Sequence, residues 1–529
     1  MSKIKTHHIV AITITPLIIF FYFLQWKNLS IHDDDLNVLR SYEAAKGFFG
    51  KINLAVPDGI FRPLQGLAIF ILKETLHFNL SAYYLFNTAI QCINTLLFAR
   101  ILSLFLQSPY ISLVLSFSLG LSRLCYYNMT QLYGGGALEG LAMLFFLIFL
   151  YHLLTALLGS NEQPYKLKKR LLLSLLFANL CIYTHERYLV LFPFLILIVL
   201  LAPTFRCLSS KTKLALSIAS TASFCMPLAI RHFVFSIPVF MGTGYTDIKI
   251  SAPTATDFFF KALSSIFQIN PGPEYLTGIT FPSLSILDKS LVFFLLGILF
   301  VVLVTYLFRI KSIIASENKL SQNRLFVFFS LIVLFGLLLG PALIQVRIEL
   351  RWLQASFAIL VLLTALISTE ILSLNNKMKT MVLTGISTLF ALTNYIYLTK
   401  GAMNLYFSTS ARVGAAFDQA IKNGTIHKNA TKLYLWEKHR VADRENEINW
   451  ALMGGYFFKL YQPGIPQMIY FDSVYQKSDS GFVYALPNFN KNSEQVILLR
   501  IENDNQTFKY YLRDITSEYL RDSLRSFKE

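Results

Sequence analysis

The 529-residue chain is poor in charge. Only 15% of its residues are Asp, Glu, Lys or Arg, while 54% are hydrophobic and 15% aromatic. Ordinary soluble domains carry about 25% charged residues, so this composition excludes a self-solvating globular protein. Acids are the scarcer sign, 30 against 47 Lys and Arg. In a soluble chain the resulting +17 would point to nucleic acid. Here the cations are scattered through short connections between apolar runs, where retention on the cytoplasmic side of a bilayer explains the excess, and no nucleic-acid partner is implied. Cysteine is sparse and unpatterned: Cys92, Cys125, Cys181, Cys207 and Cys225 form no C-x-x-C, so neither a disulfide framework nor a zinc site follows. There is no internal repeat and no low-complexity segment. "YGGGALEG" lacks the Lys-Ser/Thr of a phosphate-binding loop, and "GTG" at Gly242 is not a dinucleotide fingerprint, so soluble nucleotide chemistry is not indicated.

What the chain has in abundance is long apolar runs. A bilayer needs roughly 20 apolar residues per helix, and on that template about eleven spans are expected. The first, Ile9 to Gln25, exits through "QWKNLS", which offers no small-residue cleavage pattern, so it reads as an uncleaved anchor. The others centre on Ala89, Leu115, Phe146, Leu175, Leu195, Ile218, Leu296, Leu334, Val361 and Ser387. "RPLQGLAIFIL", Arg62 to Leu72, is too short and reads as an interfacial helix. Alternate connections carry Arg100, "KLKKR" from Lys166, Arg206 with Lys211 and Lys213, "RIK" from Arg309, and Lys377 with Lys379; these are the expected cytoplasmic loops. From about Lys400 the chain mixes charges, turn residues and β-like runs at Lys432, Gln467 and Gln495 with a helix-like stretch from Arg444. The expected architecture is therefore an all-α polytopic membrane region over 1–399 and a small C-terminal α/β extracytoplasmic domain over 400–529.

Against that background "HDDDLNVLR", His32 to Arg40, is anomalous. One Asp at the bilayer centre costs about 2.5–3.5 kcal/mol, so three cost on the order of 8–10 kcal/mol and must sit at a surface or in a wet cavity. Helix capping calls for one Asp, and "LNVLRSYEAAKGFFG" does read as an amphipathic helix ending in glycine. Three in a row repel one another, which points to a carboxylate site. Other charges recur at span ends on the same expected outer face: Arg62 before Pro63, Glu139 after "YGGG", His185, Glu186 and Arg187 in "THER", Arg231 and His232, then Arg347, Glu349 and Arg351 in "RIELR".

These elements resemble the C-type (GT-C) polyprenyl-phosphate-sugar-dependent membrane glycosyltransferases, which include the protein O-mannosyltransferases. The acidic pair within Asp33 to Asp35, "FRPL", "THER" and "RIELRW" are each similar to a family element, in the same order, and the layout covers roughly the first 400 residues. His185 departs from the family, which has lysine there, and the third Asp blurs the choice of pair. The resemblance implies transfer of a sugar from a polyprenyl-phosphate carrier to a glycan, lipid or protein acceptor at the outer face. Asp34 would be the base, Asp35 would orient it or hold the acceptor, and Asp33 would cap the helix. Arg347 and Arg351, then Arg187 and Arg62, would stabilise the departing phosphate, with Glu139, His185 and Glu186 as further substrate contacts.

Three alternatives stay open. In the first the carboxylates serve a divalent metal, Mg²⁺ or Mn²⁺, although no second acidic cluster matches. A transporter or lipid-carrier flippase of cell-envelope glycan biosynthesis would favour polar groups near the midplane. The stripe Asn87, Gln91 and Asn94 is compatible with that role but suits helix packing equally well. A non-catalytic scaffold would leave the Asp triplet without a purpose. The outer segment 236–288 holds "FFFKALSSIF", expected as an amphipathic surface helix. The expected location is the bacterial inner membrane, with the C-terminal domain in the periplasm.

Overall fold

The computed structural model describes residues 15–22, 24, 30–31, 33–77, 79–106, 108–159, 163–239, 251–314, 319–343, 348–371, 376–401, 405–437, 444–460, 468–471, 477–478, 481–482, 489–504 and 507–526. The chain divides into two units: residues 1–24 with 45–402, and residues 25–44 with 403–529.

The first unit is helical. Seven helices are long and apolar enough to cross a bilayer: Leu80–Leu102, Leu132–Leu158, Ser210–Val234, Ile286–Ile310, Ser321–Pro341, Leu350–Glu370 and Lys377–Gly401. The chain is an integral multi-pass membrane protein. The degree of burial sorts these helices. Leu350–Glu370 is 83% buried and sits among its neighbours, whereas Ser210–Val234 and Ile286–Ile310 are only 17% and 22% buried. Leu214, Ile218, Phe294, Phe300 and Phe308 on those two helices are exposed, an apolar surface that suits lipid and not water.

Of the eleven expected spans, seven are long and apolar enough among the described residues; two others form shorter helices, one carries charge in its first turns, and the first lies largely outside the described residues. The run around Leu115 forms Pro109–Gly120, and the run around Leu195 forms Leu191–Leu201, of 12 and 11 residues. At 1.5 Å per residue each is about 18 Å or less, short of a core about 30 Å thick. The run around Leu175 forms Pro164–Thr184, long enough, but its first two turns carry Lys166, Lys168, Lys169 and Arg170. The expected anchor, Ile9 to Gln25, is described only at 15–22 and 24, where it is helical.

"RPLQGLAIFIL" forms the 14-residue helix Pro63–Leu76, opened by Pro63 at its first position. "FFFKALSSIF" lies on the helix Ala252–Ile266, with Ala262, Ser265 and Ile266 buried and Phe260 exposed.

The second unit holds a four-stranded sheet in the order β2-β1-β5-β6, with β1 Lys432–Trp436, β2 Met468–Phe471, β5 Glu494–Asp504 and β6 Thr507–Asp514. Two short strands, β3 Lys477–Ser478 and β4 Gly481–Phe482, pair separately. β1 runs parallel to both β2 and β5, while β5 and β6 form an antiparallel hairpin. As a central strand β1 buries consecutive residues, Leu433, Tyr434 and Leu435, instead of alternating. Tyr434, Val496, Ile515 and Tyr519 form a small core. The stretch from Arg444 is not one helix. It breaks into Arg444–Leu452, a turn at 453–455 and Tyr456–Lys459, where Met453 at φ 48° and Gly455 at φ 93° leave the right-handed helical region.

Residues 33–44 form a helix, Asp33–Ala44, that packs within this second unit. Ile31 carbonyl O would lie 2.7 Å from a Cβ on Gly414, so the glycine permits close approach of the two segments. Tyr456 Oη donates a short hydrogen bond to Glu43. Sequence separation hid this association: the acidic segment belongs with residues 403–529, not with the membrane helices that follow it.

Candidate functional site

A buried charged cluster forms where several helices of the first unit end. Arg62 sits just ahead of Pro63, Glu139 lies in the first turns of Leu132–Leu158, and His185 to Arg187 follow Thr184. Glu349 and Arg351 lie at the start of Leu350–Glu370. The structure thus gathers at one face charges that the sequence scatters over nearly 300 positions.

The Arg62 guanidinium grips Glu186 in a fork: Nε and Nη2 each lie 2.5 Å from a carboxylate oxygen. Such two-point pairs are the strongest and most directional charge contacts. Glu139, 3% exposed, is shared. Its Oε1 accepts from Arg187 Nη2 at 3.1 Å and lies 3.5 Å from His185 Nε2 and 3.8 Å from Arg351 Nε. Arg351 also pairs with Glu349 Oε2 at 2.6 Å and lies over the Tyr127 ring at 3.9 Å. Arg187 donates to the Arg351 carbonyl at 3.4 Å and faces Trp352. Arg231 donates to the Gly59 carbonyl at 3.2 Å and is within electrostatic range of Glu186 and Arg62. Guanidinium groups therefore outnumber carboxylates, Arg62, Arg187, Arg231 and Arg351 against Glu139, Glu186 and Glu349.

His185 connects the two halves. Its Nδ1 lies 3.6 Å from Glu186 Oε2. Arg187 presents donors to both ring nitrogens, Nη2 at 2.7 Å from Nε2 and the backbone N–H at 3.3 Å from Nδ1. A neutral imidazole has one lone pair to offer. The neutral ring can therefore accept from only one of these two donors at a time. Burial, reinforced by Arg187 and Arg62, pushes His185 down to about 4, against the opposite pull of Glu139 and Glu186. Burial alone would raise the Glu186 carboxyl, but Arg62 and His185 overcome it and hold the group well below the usual carboxylate range.

This predicts a pH dependence. Above the ordinary histidine value of about 6.5 both folded and unfolded His185 are neutral. As pH falls from there toward 4 the unfolded state binds a proton that the native state refuses, so stability falls with falling pH, by up to about 1.4 kcal/mol per unit for this one proton. Thermal unfolding in detergent micelles between pH 7 and 4.5 checks it: His185→Gln should flatten the slope, and an unchanged slope contradicts a neutral buried His185.

Glu139 owes its position to an unusual backbone. Residues Leu132–Gly140 form a π-helix, a wide turn frequent at functional sites. Asn87 holds it: its Nδ2 donates to the Gln131 carbonyl at 2.5 Å and its Oδ1 accepts from the Gly136 N–H at 3.0 Å. Asn94 donates to the Gly140 carbonyl at 3.0 Å, and Gln91 to the Gly120 carbonyl at 3.2 Å. The polar stripe of Leu80–Leu102 therefore packs helices and clamps the Glu139 turn.

The sequence-derived candidates divide into three groups. Arg62, Glu139, His185, Glu186, Arg187 and Arg351 come together. Arg347 lies outside the described residues. Asp33, Asp34 and Asp35 open the helix Asp33–Ala44 of the second unit, with Asp35 fully buried and Asp34 partly exposed. Carboxylates at that end are favoured by the helix dipole. Sequence reasoning passed over Tyr127 and Trp352, whose rings face the guanidinium groups; in an aromatic-rich chain neither stands out. Among the described residues no group of three or more His, Cys, Asp or Glu side chains is placed to hold a metal ion.

Fold and site together define a class: a polytopic helical membrane protein with a buried arginine–glutamate cluster at one end of its spans and a small mixed-sheet unit. No protein-family model matches the chain, and comparison with curated proteins finds no similar sequence.

Proposed function

We propose that the protein is a membrane glycosyltransferase of the GT-C kind. In this proposal it moves a sugar from a polyprenyl-phosphate carrier to an acceptor hydroxyl at the outer, periplasmic face. The observation that carries the reading is the gathering of Arg62, Arg187, Arg231 and Arg351 into one partly buried cluster at helix ends. Planar guanidinium groups are the preferred partners of phosphate oxygens. Glu139, Glu186 and Glu349 hold them in place before any ligand arrives, which lowers the reorganisation needed as charge develops.

In the proposed reaction the acceptor oxygen attacks the anomeric carbon. The bond from that carbon to the phosphate oxygen breaks, and the electron pair leaves with the phosphate, whose added charge the arginines stabilise. The acceptor proton passes to a carboxylate base; Asp34, with Asp35 beside it, is proposed for that part from the sequence resemblance alone.

Replacing both Asp34 and Asp35 by Asn is expected to lower turnover by about 10²–10⁴-fold, the usual range for a general base, while the protein still folds and inserts. The assay compares sugar decoration of envelope glycans in cells lacking the protein, complemented with wild type or variant. Full complementation by the double variant removes the aspartates from the mechanism. A flippase reading draws on one observation, the buried Glu139 inside a span on a π-turn. It predicts that sugar-lipid crosses the bilayer without release of carrier phosphate.

A further inference from the structure

A second charged constellation lies at the opposite helix ends of the membrane unit, and the transferase reading does not use it. Arg324 pairs with Glu370 at 2.6 Å, and Arg309 donates to the Glu370 backbone carbonyl at 3.3 Å. Lys379, buried, is within electrostatic range of both Arg324 and Glu370. The two connections here, 309–324 and 370–379, carry Arg309, Lys311, Lys319, Arg324, Lys377 and Lys379 against Glu317 and Glu370 alone. Among the described side chains Arg309, Arg324, Lys377 and Lys379 stand against Glu370, an excess that the internal ion pair does not neutralise.

Directly beside it is an apolar groove of about 510 Å³ between Ile286–Ile310, Leu350–Glu370 and Lys377–Gly401. Its lining runs from Phe293 past Gly297 to Thr305, and includes Ser368 and Met378. Thr305 is one helical turn from Arg309, Ser368 is two residues from Glu370, and Met378 lies between Lys377 and Lys379, so one end of the groove meets the cations. From Phe293 to Thr305 a helix rises about 18 Å, close to half of a core about 30 Å thick, the depth of a single leaflet. At the charged end Ser368, fully buried, has a hydroxyl with no hydrogen-bond partner among the described residues. A groove one leaflet deep, with a lone hydroxyl and then guanidinium and ammonium groups at its mouth, matches an acyl chain, a polar ester linkage and an anionic head in that order.

We infer that this groove is a resident site for an anionic phospholipid, its chain along Phe293 to Thr305 and its phosphate head on Arg309, Lys379 and Arg324. Charge complementarity selects the head, since a zwitterionic lipid would gain no net attraction from the excess of cations. The apolar wall requires the chain, so free phosphate lacks half of the recognition.

The test is native mass spectrometry of the full-length protein in detergent, titrated with phosphatidylglycerol or phosphatidylcholine. Wild type should retain phosphatidylglycerol in preference to phosphatidylcholine, and inorganic phosphate should not displace it. Arg309→Gln with Lys379→Gln should weaken phosphatidylglycerol retention roughly 30-fold and leave phosphatidylcholine unchanged. Gly297→Leu should weaken retention of both lipids, because a Cβ there meets nothing within 4 Å and the new side chain occupies groove space without a clash. That open space also makes Gly297→Leu the variant expected to fold, confirmed by an unchanged melting temperature. Equal retention of the two lipids, displacement by inorganic phosphate, or indifference to either substitution overturns the site.

Discussion

Glu139→Ala is expected to be the most damaging single substitution in the membrane unit, lowering stability by about 3–5 kcal/mol. The carboxylate is buried, accepts a hydrogen bond from Arg187, and has Arg351 Nε at 3.8 Å and His185 Nε2 at 3.5 Å. Removing it leaves Arg187 without its carboxylate partner in a mostly enclosed site, and the cost is set by that uncompensated charge more than by the bond itself. Glu139→Gln keeps the shape but not the charge and should fall between alanine and wild type. Thermal unfolding in detergent at pH 7 measures both. A loss under 1 kcal/mol for Glu139→Ala would mean that the arginines find other anions and that the carboxylate does not anchor the cluster.

Gly136→Ala should be nearly as disruptive, through backbone instead of charge. A Cβ at Gly136 would lie 2.1 Å from Asn87 Oδ1 and 3.1 Å from Asn87 Cα, so the clamp on the π-turn has to move. Overpacking of this kind costs about 1–3 kcal/mol, and loss of the two Asn87 hydrogen bonds adds about 1 kcal/mol each. Because both effects act through one side chain, Asn87→Ala and Gly136→Ala should not add: the double variant should be more stable than the sum of the singles predicts. Strict additivity would show that Gly136 and Asn87 are independent and that the π-turn is not held by this contact. Since the turn carries Glu139, Gly136→Ala should also reduce turnover, whereas a substitution on the lipid-facing side of Ile286–Ile310 should not.

Much of the architecture was legible because burial in lipid demands long uninterrupted apolar runs, and Leu80–Leu102 or Leu132–Leu158 can be read directly from hydropathy. The count was not. Within a membrane unit a helix that packs on its neighbours stays apolar when short, so Pro109–Gly120 and Leu191–Leu201 look like spans until their lengths are known. Hydropathy reports the surroundings of a residue, not the length of its helix. The site was legible as a set of charged residues at run ends, since each such charge costs too much inside lipid to be incidental. Its pairings were not: nothing local ties Arg62 to Glu186, 124 positions away, or Glu139 to Arg351. The association of Asp33–Ala44 with residues 403–529 was invisible for the same reason, because helical periodicity identifies a buried face without naming what covers it.

Release of carrier phosphate by the full-length protein separates a transferase from a flippase most directly. With the protein reconstituted in vesicles of lipid extracted from its native membrane, the transferase reading predicts polyprenyl phosphate released in step with sugar appearing on an acceptor. Asp34→Asn with Asp35→Asn should suppress both by at least about 100-fold. Sugar-lipid that crosses the bilayer intact, with no phosphate released by wild type, would contradict it.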